Sequence, residues 1–450
     1  MNILFIMYNI FDIRNGVSNK YINFIKSIEN NNNISFIMTK NENNKDNKNN
    51  THTDFSNTKI YYTKGINIPF YDKIKIPHIN DDLIKSIIKD EKYIIIFNGE
   101  FFWLYEILID IKKKYNISLY PSWHTDYEEY FKKYVSNKIN INYMMNILYD
   151  NLKCKIFEGI IVTGEYTKNK FLKYTDNVFN ANELCIDNFN FYKIDKYTKG
   201  ETINFIYCGR VSIEKNIDEI FDILNNIDNL SNNYIKIKIN IHIIGGGPYL
   251  EKLKTKYLND INDINDINDK NDKNNKNDKN DKNDINNINN INNINNKNHV
   301  YFYNELKYDE ILNIYKKLDN RIFMMCSETE TFGKAPMEAG LTGIPIFIKN
   351  FNNIKFMYSD KNAFIYETKF DFINNLMYFL NLSNHKKKEF IENSVNNINK
   401  YDQKIIFHEW EQFLLHNYNK QKECSEQIVN KSKFKKFLNL IQCSMNIISD

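Results

Sequence analysis

The stretch Ser327–Pro345, SETETFGKAPMEAGLTGIP, sets two acids, Glu330 and Glu338, eight positions apart around the pair Phe332–Gly333. Three Gly and two Pro fall in these nineteen residues, although the whole chain has only 13 Gly and 6 Pro. A carboxylate accepts a pair of hydroxyl hydrogen bonds, which suits ribose or hexose. Gly333 lets the backbone come close to a ligand, and a helix starting beside it offers free N–H groups and a positive dipole end. Ser327 opens this loop. The plainer alternative is a strand–turn–helix with exposed Glu residues.

Four other stretches carry chemistry. In YCGRVSIEKN (207–216), Gly209 turns the chain and Arg210 and Lys215 follow near a helix start. Only three Arg occur, at 14, 210 and 321. An Arg fork matches phosphate oxygens and a Lys adds a point charge, so this pair can neutralise a diphosphate. In HIIGGGPYLEKLK (242–254), Gly245, Gly246 and Gly247 permit packing against a flat ring, with Tyr249 beside it. In YPSWHTDYEEYF (120–131), His124 is placed to bond a sugar hydroxyl or pass a proton, and Glu128 and Glu129 to position an acceptor. A surface His capping a helix is the competing interpretation. In FDIRNGVSNKY (11–21), Gly16 lies in the first strand–helix loop with Ser18 as N-cap. That pattern is not G-x-G-x-x-G, so a nicotinamide site is unsupported. No D-x-D triplet occurs, which weakens a metal-bridged diphosphate; no metal and no cofactor are expected.

The elements that must position these groups alternate between short β runs and helical patterns, the mark of an α/β protein with parallel sheets. The first series is NILFIMY (2–8), ISFIMT (34–39), YIIIF (93–97), ISLYPS (117–122) and GIIVT (159–163). The second is INFIYC (203–208), IKINIHII (237–244), HVYFY (299–303), RIFMMC (321–326) and IPIFI (344–348). Two doubly wound units in tandem follow, and such units bind ligands beyond the carboxyl ends of their strands. The expected domains are 1–190 and 201–400, with 401–420 crossing back as a helix and 421–450 as a basic tail. Asn-rich stretches at 41–57 and 259–298 lack the apolar content to order and are expected to be disordered insertions.

Net charge is +4, spread along the chain, and offers no concentrated basic face for nucleic acid. Six scattered Cys without C-x-x-C spacing suit reduced thiols in the cytoplasm. No apolar run long enough to span a bilayer and no signal-peptide pattern occur. Residues 430–448, NKSKFKKFLNLIQCSMNII, join four Lys to an apolar stretch and suit either an anionic membrane surface or a solvated tail.

With these motifs in order, the chain resembles glycosyltransferase family 4, retaining enzymes of the GT-B fold: two Rossmann-like doubly wound domains facing across a cleft. Glu330 and Glu338 match its E-x7-E element, supported by Gly209–Asn216, Gly245–Leu253 and the Gly16 loop. HTDYEEY and SETETFG look most like sulfoquinovosyl- and digalactosyl-diacylglycerol synthases. The resemblance implies that Arg210 and Lys215 hold the donor diphosphate, that Glu338 takes the ribose and Glu330 the transferred sugar. It also implies that Phe332 and Gly333 offer backbone N–H groups, and that His124 touches the sugar near the reacting carbon. A nucleotide sugar, held by 201–400, is then the donor, and a lipid or glycan, held by 1–190, the acceptor. A sugar-nucleotide 2-epimerase and a non-catalytic sugar-nucleotide-binding protein are the alternatives. Cys326 stands where the family usually has Pro, and Asn304 where it has Gly.

Overall fold

The computed structural model describes residues 1–11, 16–40, 55–68, 71–89, 91–99, 101, 103–124, 149, 156–189, 191–197, 202–231, 238–265, 288–294, 298–328, 330, 332–351 and 354–419. The chain forms two units, Met1–Glu183 with Gln403–Asp450, and Leu184–Asp402.

The first unit is built on strands β1 (Asn2–Ile6), β2 (Asn33–Thr39), β3 (Lys59–Thr63), β6 (Tyr93–Asn98), β7 (Ile117–Trp123), β8 (Ile160–Val162) and β9 (Val178–Asn180). They make a parallel sheet in the order β3-β2-β1-β6-β7-β8-β9, while β4 (Gly65–Ile68) and β5 (Tyr71–Pro77) form an antiparallel ribbon. Runs such as Ile94–Phe97 are apolar on both faces because helices cover both sides. The helix Gln403–Asn419 belongs to this unit. Its Phe407, Trp410 and Leu414 are buried, and the Trp410 ring stacks on Phe24 at 3.8 Å. The helix Gly16–Ile28 begins two residues before Ser18, so Ser18 is not the N-cap. It lies in the first turn, fully buried, 3.3 Å from the Tyr8 hydroxyl.

In the second unit, β10 (Thr202–Cys208), β11 (Lys238–Ile244), β12 (Ile288–Ile294), β13 (Asn298–Tyr303), β14 (Arg321–Met325), β15 (Ile346–Lys349) and β16 (Phe364–Tyr366) follow the order β12-β13-β11-β10-β14-β15-β16. Every pair is parallel except β12 with β13. Strand order reverses between β1 and β6 in the first sheet and between β10 and β14 in the second. At such a reversal the connections on the two sides diverge and leave a crevice at the carboxyl ends of the strands.

Three expectations change. The boundary falls at 183/184, not near 190–201, because the polar segment 184–197 is an ordered part of the second unit. Arg321, with no exposed surface, donates from Nε to Asp195 Oδ2 at 2.9 Å and from its terminal nitrogens to the carbonyls of Tyr315 and Lys193 at 3.1 and 2.8 Å. The Asn-rich segment 259–298 is not wholly without order: the helix Leu250–Asn265 runs into it and β12 lies within it. At the end of 41–57, Ser56 and Asn57 donate backbone N–H groups to the buried Glu29 carboxylate, each at 3.1 Å.

Candidate functional site

The second unit brings two sequence-predicted loops to its switch point. One follows β14, whose five residues are all buried. Cys326 is fully buried and its Sγ accepts from the Tyr366 hydroxyl at 3.1 Å. Burial pushes this thiol up to about 12, so it is neutral and inert. Ser327, 1% exposed, donates from Oγ to Glu330 Oε1 at 3.0 Å. Gly333 adopts φ 68°, ψ 57°, a left-handed conformation that disfavours any side chain, and caps the helix Lys334–Leu341. Gly333 carries no side chain to cap that helix, whose positive dipole end faces this loop.

The other loop follows β10. A short 3-10 turn, Ile213–Lys215, ends at Asn216 in the left-handed region (φ 48°, ψ 45°). From this turn Lys215 reaches across and ion-pairs with Glu330, the two side chains being 20% and 16% exposed. A brace holds the turn: the Asn216 amide donates to Glu219 Oε2 at 2.5 Å, and Lys349, at the end of β15, pairs with the same carboxylate. Arg210 is exposed, its backbone carbonyl accepting from the Tyr207 hydroxyl at 2.7 Å; among the described residues its guanidinium has no ion pair.

Glu338, the fifth residue of the helix Lys334–Leu341, hydrogen-bonds with Tyr308. Burial, and then the Glu338 charge, push the Cys208 thiol up to about 12. Glu330 meets the turn after β10, and Glu338 meets Tyr308. Tyr308, Glu219 and Lys349 carried no spacing signal in the sequence.

The triple glycine has a different cause from the one expected. A Cβ on Gly245 would lie 2.1 Å from the Gly209 carbonyl oxygen, and one on Gly247 would lie 2.2 Å from that of Val211. The Gly209–Val211 and Gly245–Gly247 loops are backbone against backbone, joined by Gly209 N–H to Ile244 O and Val211 N–H to Gly246 O, both 2.9 Å. Gly246 alone of the three has room, its nearest neighbour lying 3.7 Å away. Tyr249 does not stand free beside a ring. Its hydroxyl donates to Asp218 Oδ2 at 2.8 Å, in a cluster with Tyr257 and Lys256 at the start of the helix Asp218–Ser231.

His124 belongs to the first unit, at the end of β7, and it is buried rather than a surface cap. Nε2 lies 3.1 Å from Ser122 Oγ and 3.3 Å from the Tyr21 hydroxyl, while Nδ1 lies 3.2 Å from Thr163 Oγ1. Burial, and then the nearby Lys20 charge, hold this imidazole well below its ordinary pKa, so it is neutral at pH 7. Lys20, itself buried, donates to Thr163 Oγ1 at 2.6 Å. Gly16 is the first residue of its helix. Glu128, Glu129 and the basic tail 421–450 lie outside the described residues. Among the described residues no cluster of metal-ligating side chains occurs, and no helix is long and apolar enough to cross a membrane.

No curated protein sequence matches the chain. Among solved structures it is similar to HepE of Anabaena in complex with UDP and glucose, with TM-score 0.58 and 12% identity, covering 92% of this chain and all of HepE. It is similar to the lipopolysaccharide outer core galactosyltransferase WaaB, with TM-score 0.58 and 14% identity over 92% of this chain and 99% of WaaB. Sucrose-phosphate synthase of Thermosynechococcus elongatus gives TM-score 0.59 and 11% identity over 92% and 98% of the two chains. The chain spans 57% of the length of TarM, at a TM-score of 0.49. The fold is therefore the α/β one of GT-B glycosyltransferases, and residues 281–396 match the family model described as Glycosyl transferases group 1.

Proposed function

We propose that the protein is a retaining glycosyltransferase that moves a hexose from a nucleotide-diphosphate sugar to a lipid or glycan acceptor. The observation that carries this is the Lys215–Glu330 pair, with Ser327 beside it, set at the switch point next to the start of the helix Lys334–Leu341. Cation, carboxylate, hydroxyl and a helix N-terminus suit a diphosphate joined to a polyol. Arg210 and Lys215 stabilise the departing diphosphate, Glu330 takes hexose hydroxyls and Glu338 the ribose. No carboxylate is assigned as a covalent nucleophile, and the leaving phosphate helps to take the acceptor proton during attack on the same face. UDP is the favoured nucleotide because HepE, of similar fold, is seen with UDP and glucose. Neither metal nor cofactor enters the scheme.

The test is a thermal-shift screen with UDP-, GDP- and ADP-sugars, followed by product analysis of the stabilising donor with and without acceptors. A bound donor raises the melting temperature by mass action. Transfer with retained anomeric configuration supports the proposal. An isomerised sugar nucleotide from donor alone favours the epimerase alternative, and binding without turnover favours the non-catalytic one. Vesicle flotation with and without residues 425–450 tests membrane association and, with it, the lipid acceptor.

A further inference from the structure

We propose that Tyr207 is a positioning residue for the donor diphosphate, its buried phenol fixing the stretch of backbone from which Arg210 reaches out. The assignment rests on the donor site proposed above and adds a residue that acts through Arg210.

Tyr207 is the next-to-last residue of β10 and 3% exposed. It belongs to the same apolar cluster as Phe205, Val211 and Ile217. Its hydroxyl reaches past the turn and donates to the Arg210 carbonyl at 2.7 Å. Gly209 lets the chain turn there, with φ 151°, a conformation that favours glycine. A Cβ at Gly209 would stand 3.4 Å from the Tyr207 oxygen. Other bonds hold the flanks. Gly209 N–H and Val211 N–H donate to the carbonyls of Ile244 and Gly246, both at 2.9 Å, and the Val211 carbonyl accepts from Tyr249 N–H at 3.1 Å. Val211 is fully buried, whereas Arg210 is exposed. One exposed residue thus stands between two anchored neighbours, and its own carbonyl is held by Tyr207. Burial, and then the Glu330 charge, raise the Tyr207 phenol above its ordinary pKa, so it remains the donor at neutral pH.

A guanidinium fork binds phosphate oxygens in a narrow range of orientations. A ligand that meets a backbone already fixed avoids the cost of ordering it on binding. The Tyr207 bond therefore contributes to affinity for the diphosphate and not for the base or ribose. Tyr197 supplies a matched control in the same unit. It is buried, and its hydroxyl donates to the carbonyl of Arg321, the arginine locked in the framework. Tyr207→Phe and Tyr197→Phe remove the same kind of bond, one at the candidate site and one away from it.

The experiment titrates wild type, Tyr207→Phe, Tyr197→Phe, Arg210→Met and the double variant of Tyr207→Phe with Arg210→Met calorimetrically. The probes are UDP, GDP, ADP, their three nucleosides and inorganic pyrophosphate. Tyr207→Phe should bind the preferred nucleoside diphosphate and pyrophosphate about three- to tenfold more weakly, as for loss of one hydrogen bond, and the nucleoside as wild type does. Tyr197→Phe should lower the unfolding midpoint and leave binding unchanged. On the Arg210→Met background, Tyr207→Phe should change affinity by less than about twofold, because its effect passes through Arg210. If Tyr207→Phe alone binds the diphosphate within about twofold of wild type, the Tyr207 assignment is wrong and the donor site stands. A loss that persists undiminished on the Arg210→Met background, or that extends to the nucleoside, means a general effect on the fold and also overturns it. So does failure of Tyr207→Phe to fold where Tyr197→Phe folds. Wild type binding none of the diphosphates or pyrophosphate removes the donor site and this assignment together.

Discussion

Replacing Lys215 by Met keeps most of the side chain's length and removes its charge. Its partner Glu330 is 16% exposed and retains the Ser327 hydroxyl at 3.0 Å. The pair is neither solvated nor fully dry. An exposed pair contributes about 0–1 kcal/mol, and breaking a buried one costs about 3–5. Partial solvent access and the remaining hydroxyl place the stability cost nearer the lower range, about 1–2 kcal/mol. For a unit of this size that is a fall of roughly 2–8 °C in melting temperature. The catalytic cost should be larger, because the same ammonium faces charge that develops on the leaving diphosphate. A lost charge-stabilising contact costs about 2–4 kcal/mol, which is roughly 30- to 900-fold in kcat/KM. The assay is a double-mutant cycle of Lys215→Met and Glu330→Gln, read by denaturant unfolding and by kcat/KM for the donor identified in the screen. Coupling in unfolding and a much larger single-variant loss in turnover are expected. Additive unfolding effects, with Lys215→Met turning over within threefold of wild type, would refute the reasoning.

Arg321→Met should destabilise the second unit by about 3–5 kcal/mol, since it leaves the buried Asp195 carboxylate with only Lys193, at 3.6 Å, as a cation; urea unfolding measures this. Gly247→Ala should cost at least about 1–3 kcal/mol, because its Cβ would lie 2.2 Å from the Val211 carbonyl oxygen, whereas Gly246→Ala should unfold like wild type. Lys349→Met removes one arm of the brace on the Lys215 turn, so donor KM should rise severalfold while the fold persists, and Lys349→Arg should restore it. The folded-state pKa of His124 is lowered well below ordinary and that of His242 to about 3, each by burial first. Below about pH 6.5 the unfolded chain takes up protons that the folded chain refuses, so stability should be flat above that pH. It should then fall by up to about 1.4 kcal/mol per pH unit for each His, continuing toward pH 3 for His242. His242→Gln should flatten part of this slope in unfolding titrations.

Much of the site was legible because the composition is so biased. Where Gly, Pro and Arg are rare, Gly209, Gly333 and Arg210 stand out; Gly209 and Arg210 mark the turn after β10, and Gly333 marks the start of the helix Lys334–Leu341. Scarcity also misled. The triple glycine suggested a ligand ring, but two of the three exist so that two loops can touch. Arg321 is equally rare, yet it is buried in the framework and fixes the polar segment 184–197. Tyr308 was invisible for the opposite reason: with 31 Tyr in the chain, only its bond to Glu338 distinguishes it. Strand β12, INNINNI, repeats every three residues and carries no strand period of two, so its pairing with β13 was hidden. Strands β9 and β16 are three residues long, too short for any alternation to register.

The decisive measurement is a crystal structure with the best-stabilising sugar nucleotide bound. The diphosphate should lie within hydrogen-bond reach of Arg210, Lys215 and the backbone N–H groups near Gly333, with Glu330 on the hexose and Glu338 on the ribose. Density for the nucleotide elsewhere in the molecule, with the Lys215–Glu330 pair untouched, would contradict the assignment of this switch point as the donor site.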